Sequence, residues 1–223
     1  MIIDVILLVI IAGVTWCVAS EGAWGAGLNL LCVLLAGLIA MNFFEPMANM
    51  FGTTGSWSYR GDIIALVGLF EVSVFVLREV AERISPRYIQ VNNLVHNMGR
   101  WLCGLLAGYM TAAFLLTALH TAPLPREFLG FSPERGNLFG VAPDRQWLGF
   151  TQHVSEKVLY SGKVFDGPRE SFGDYPNDIW PSFPIRYASR RDQIGGSAAP
   201  AGGAAGGGIR RIEPTGGGGA GGF

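Results

Sequence analysis

Charge is scarce in this chain of 223 residues. Only 15% of its side chains are charged, against about one-quarter in soluble domains. The net charge of −1 leaves none of the clustered positive charge that nucleic-acid binding requires, so nucleic acid is set aside as a partner. Histidine is almost as rare. His96, His120 and His153 are the only three; none stands at HExxH spacing, and the lone HxxE of His153 and Glu156 makes no metal site. Cys17, Cys32 and Cys103 all fall inside apolar runs without a CxxC, which predicts core residues and neither disulfides nor metal ligands. The chain also lacks GxSxG and GxxxxGKS patterns, and the GxGxxG spacing of Gly216, Gly218 and Gly221 falls in the Gly-rich tail, without the strand and helix context that a phosphate loop requires. The expectation is a protein that is not an enzyme, with no catalytic residue, no metal and no cofactor.

What the chain does have is long apolar runs: half of its residues are hydrophobic and the mean hydropathy is +0.35. The first two runs, within Ile2 to Phe44, are separated only by Ser20, Glu21, Gly22 and Ala23. A bilayer core of about 30 Å asks for about 20 such residues per helix, and backbone in hydrocarbon must bond to itself, which selects helices. The pair reads as a transmembrane hairpin with the lipid bilayer as its partner. Asp4 is the single charge of the first run, at the end where a carboxylate can reach headgroups. That run lacks a basic leader and exceeds the apolar length of a signal peptide, so a retained helix is expected.

A link with Gly, Ser and Thr follows Glu45-Pro46, and Trp57 and Tyr59 suit a membrane interface. Asp62 reads as the cap of a third helix, over about 61–83, that carries Glu71 at its middle. Ser85-Pro86 stops it, and the stretch from Arg87 to Asn97 reads as a link. The fourth run, about 100–120, contains Gly104-Leu105-Leu106-Ala107-Gly108, a GxxxG pattern that places Gly104 and Gly108 on one face for helix contact. The fold expected is an all-α integral membrane protein of four transmembrane helices (2–20, 24–44, 61–83, 100–120). An extramembrane aromatic and basic segment, 123–192, and a disordered Gly/Ala-rich tail, 193–223, complete it. Within the extramembrane segment, Asp144 to Tyr160 spaces Trp147, Phe150, Val154, Val158 and Leu159 by threes and fours. This is an amphipathic helix, able to lie on the membrane or dock on the bundle.

Glu71 is the sharpest candidate site, because a carboxylate near the bilayer centre costs several kcal/mol unless it is paired or protonated. It is expected to face the bundle interior, near Thr15, Asn29, Asn42 and Thr111, as a proton- or partner-binding group or as a packed, hydrogen-bonded acid. Arg78, Arg83, Arg87 and Arg100 form the basic edge that sets topology. Four arginines in that connection outnumber Arg60, Arg126 and Arg135 on the other face, which predicts a cytoplasmic basic edge with both termini outside.

Over about residues 1–120 the pattern resembles the colicin V production protein family. The points of likeness are the opening Ile2-Ile3-Asp4-Val5-Ile6, the tight first hairpin and Gly104-Leu105-Leu106-Ala107-Gly108. Ala107 stands where the family usually has arginine, and Glu21-Gly22-Ala23-Trp24 replaces its basic first loop. The resemblance implies a multi-pass protein of the bacterial inner membrane needed for toxin production or export and envelope homeostasis, with its termini in the periplasm and without catalytic residues. The competing expectation is a small proton- or cation-coupled transporter or channel subunit that uses Glu71. The GxxxG face suggests a homo-oligomer or a partner membrane protein.

Overall fold

The computed structural model describes residues 2–50, 57–85, 92–124, 128–131 and 136–158, with positions 165, 183, 184 and 187. The expected tail, 193–223, and Arg87 lie outside the described residues. Among the described residues every regular element is helical: α1 (Ile2–Ala19), α2 (Gly22–Met50), α3 (Trp57–Ile84), α4 (Asn93–Thr121) and α5 (Pro143–His153), the last running into a π turn over Val154–Val158. At 1.5 Å per residue α1 is about 27 Å long and the next three are each a little over 40 Å. Among the described residues three helices are long and apolar enough to cross a membrane: α1, α2 over Gly22–Ala48, and α4. The third helix matches them in length but holds Arg60, Asp62, Glu71, Arg78, Glu79, Glu82 and Arg83, so its apolar character is the weakest of the four.

The helices pack in the lateral order α3, α2, α4, α1, with the most extensive seams between α2 and α3, α2 and α4, and α1 and α4. Small residues make the α1–α4 seam. A Cβ at Gly104 would lie 2.9 Å from the Thr15 carbonyl oxygen, and one at Gly108 would lie 2.7 Å from that of Ile11. Only glycine permits that approach. The GxxxG face expected to serve an oligomer is therefore occupied by the chain's own first helix. Large side chains make the seam of α2, α3 and α4, where Phe70 stacks on Phe114 with ring centroids 4.1 Å apart among Ala36, Ala40, Phe44 and Leu66.

Helix limits depart from the sequence reading where packing outweighs local signals. Pro46 lies inside α2, and the helix carries on because Phe44 and Ala48 on either side of it are buried in the core. Asp62 is within α3, which starts five residues earlier at Trp57. The Arg87–Asn97 link contains the first turn of α4, where the Asn92 side chain accepts the Leu94 N–H at 3.3 Å, a helix cap. The α1–α2 turn needs Gly22 twice over. Its φ is +83, and an added Cβ would sit 3.1 Å from His96 Cε1, so a side chain there is both strained and crowded.

The amphipathic stretch docks on the bundle. Trp147 of α5 is buried against Phe114 and Phe150, and a Cβ on Gly37 of α2 would come within 2.6 Å of its Cη2. Phe183 covers the far end of α2, 6.2 Å from Phe44. The segment after residue 122 is thus part of the core at these positions.

Candidate functional site

Side chains that carry charge collect at two places, one at each end of the bundle. At the first end the α1–α2 turn, the end of α3 and the start of α4 come together. Glu21 lies in the turn because α1 closes there: the Glu21 N–H donates to the Val18 carbonyl at 3.2 Å and that of Ser20 to the Trp16 carbonyl at 3.1 Å. From this position Glu21 reaches across to α3. Its Oε1 accepts from Arg78 Nη2 at 2.6 Å, and its Oε2 accepts from Asn29 Nδ2 at 2.5 Å. One turn further along α3, Glu82 Oε1 accepts from Arg78 Nε at 3.0 Å, the (i, i+4) spacing that brings two side chains onto one helix face. Trp24 Nε1 donates to Ser85 Oγ at 3.2 Å, which fixes the indole as a wall.

These groups line a cleft of about 320 Å³ between α2 and α3, together with Gly25, Leu28, Cys32 and Ala81. Arg78 and Glu21 keep 45% and 30% of their side-chain surface exposed, so the network is wet at its mouth. Inward, the lining passes to Asn29 and Cys32, both buried. The lining is mixed, with polar groups from Glu21, Asn29, Arg78, Glu82 and Ser85 and apolar surface from Leu28 and Ala81.

At the opposite end a polar pair is sealed, and Arg145 reaches it from the partly exposed side, with Nε 3.8 Å from Asp144 Oδ2. His120, in the last turn of α4, meets Asp144 of α5 at 2.9 Å between Nε2 and Oδ2, with both side chains fully buried. Thr117 Oγ1 donates to the Ala113 carbonyl at 2.9 Å, Asp144 Oδ1 is buried without a hydrogen bond among the described residues, and the Phe131 ring stands edge-on to His120 at 5.0 Å. Asp4 belongs to this end. It is buried, and its Oδ1 accepts the Leu138 N–H at 2.9 Å, which corrects the expectation that it reaches headgroups. The turn it anchors holds Leu138, Phe139 and Ala142 at positive φ, a conformation that L side chains adopt only when their surroundings enforce it.

Glu71 belongs to neither end. It lies on the exposed side of α3, between Phe70, which is buried, and Val72, which is 63% exposed. Phe70 takes the inward direction by stacking on Phe114, and the next residue of a helix points about 100° away. The expectation that Glu71 faces the interior does not hold, and the neighbours proposed for it are engaged elsewhere. Asn29 binds Glu21, Asn42 donates to the Leu38 carbonyl, Thr111 donates to the Ala107 carbonyl, and Thr15 faces Gly108. The expected basic edge divides. Arg78 is in the cleft, Arg83 pairs with Glu79 at 3.6 Å on the solvent side, and Arg100 stacks over Trp101 at 5.6 Å. His153 and Glu156 are both exposed, and no group of three metal-ligating side chains occurs among the described residues.

Sequence reasoning missed Glu21, Glu82 and the His120–Asp144 pair as sites. The available signal for Glu21 was its place as the one charged residue between two apolar runs. No family model, no curated protein and no solved structure matches the chain.

Proposed function

We propose that the chain is a non-enzymatic, multi-pass component of the bacterial inner membrane that works through the cleft at its α1–α2 turn. Its role, as the resemblance to the colicin V production family implies, is to aid production or export of a secreted product. In this reading α3 is the fourth span, and its charged turns close the cleft from one side. The observation that carries the reading is the Glu21–Arg78–Glu82 network, which joins a turn between two apolar helices to a helix 57 residues away and keeps part of its polar surface open. Three helices suited to a bilayer support the location. The test is rescue of colicin V production in a bacterium deprived of its own production protein. Rescue is expected from the full chain and is lost in Glu21→Gln and Arg78→Ala at unchanged membrane levels. A full chain that inserts but does not rescue refutes the proposal.

The second reading, a small proton- or cation-coupled transporter or channel subunit, draws support from the same cleft and not from Glu71, which lies away from it. Flux of a cation into vesicles containing the purified chain separates the two readings, because an export component gives none.

A further inference from the structure

We propose that the cleft between α2 and α3 binds a small organic ammonium ion: a protonated primary amine carrying an apolar carbon chain. The inference rests on the reading of the cleft as the working site and adds its ligand class. Two carboxylates and one guanidinium line the cleft, which leaves one unit of negative charge beside a low-dielectric bundle, where a cation is attracted more strongly than in water. On the same helix, Glu79 and Arg83 oppose each other.

The hydrogen-bond inventory gives the same sign. Of the four carboxylate oxygens, Glu21 Oε1, Glu21 Oε2 and Glu82 Oε1 are engaged by Arg78 and Asn29. Glu82 Oε2 is left as an acceptor with no hydrogen bond among the described residues, and Glu82 keeps 60% of its side-chain surface exposed. An ammonium N–H takes the place of water at this oxygen. The indole of Trp24, held by Ser85, offers a cation a ring face. Leu28 and Ala81 supply the apolar surface for carbon.

The same chemistry is found in a free alkylamine and in the headgroup of phosphatidylethanolamine, which lies at the depth of helix ends. Both are tested with the full chain, with Cys17→Ser, Cys32→Ser and Cys103→Ser, and with Ala81→Cys as a reporter at the half-buried edge of the cleft. In phosphatidylcholine vesicles a cationic methanethiosulfonate is expected to label this cysteine about tenfold faster than an anionic one. Hexylamine is expected to slow the labelling where hexanoate does not, and Glu82→Gln to remove both preferences. If phosphatidylethanolamine vesicles slow labelling without added amine, the headgroup is the source; if only hexylamine does so, the source is a free amine. Protection by hexanoate in place of hexylamine leaves the cleft reading standing and overturns the ammonium. Equal labelling by both reagents with no protection by either compound overturns the cleft reading as well. Calorimetric titration of hexylamine into the chain with its native cysteines guards against misfolding of the variants. Saturable heat supports the proposal, and its absence overturns it.

Discussion

The two ends of the bundle use nearly the same chemistry for opposite purposes. At the α1–α2 turn, Glu21, Arg78 and Glu82 meet in an open cleft with much of their surface in contact with solvent. At the α4–α5 junction, His120 and Asp144 meet with no surface exposed. An exposed ion pair contributes little to stability because water and salt screen it and because side-chain entropy opposes it. In a buried pair, removing one partner strands the other in a medium that cannot solvate it. Water access, and not the identity of the charged residues, thus separates a group that can meet a ligand from one that fixes a fold.

Substitutions sharpen this contrast in order of size. Asp144→Ala deletes the carboxylate that His120 Nε2 meets in the buried junction and is expected to cost about 3 kcal/mol, read as earlier loss of helical circular dichroism on titration with dodecyl sulfate. Gly108→Leu drives a side chain into the Ile11 carbonyl and is expected to cost about 2 kcal/mol, the middle of the range for overpacking, in the same titration. Asp4→Ala removes the acceptor for the Leu138 N–H and is expected to cost about 1.5 kcal/mol, as for a hydrogen bond to a charged group. It should also raise hydrogen exchange at Leu138, and an unchanged rate there would show that the turn holds itself. Arg78→Ala comes last, at under about 1 kcal/mol, although it should abolish rescue of colicin V production. If Arg78→Ala destabilises the chain as much as Asp144→Ala does, the division into a wet end and a dry end fails.

The sequence made the first hairpin legible because length, hydropathy and a four-residue break are local properties. Docking of the Asp144–Tyr160 stretch was open to either surface, and Trp147 decides it by filling the space over Gly37. What the sequence hid depends on pairings across the fold. Glu21 reads as a loop acid until Arg78 is brought across from α3, and Asp4 as a headgroup acid until Leu138 arrives from 134 positions away. Glu71 looks central by depth, but depth along a helix says nothing of azimuth, and Phe70 claimed the inward direction. The glycines of α4 were correctly readable as a contact face, whereas the identity of the contacting helix was not.

The contact of Trp147 with Gly37 also has a meaning in time. Chains emerge from the ribosome N-terminus first at roughly 5–20 residues per second, so α1 to α4 are complete before α5 has been made. Until Trp147 arrives, the place above Gly37 beside Phe114 has no occupant from the first four helices. The nascent bundle therefore passes through an interval of seconds in which this slot is open to another hydrophobic ring, before Trp147 closes it and Phe183 follows onto Phe44.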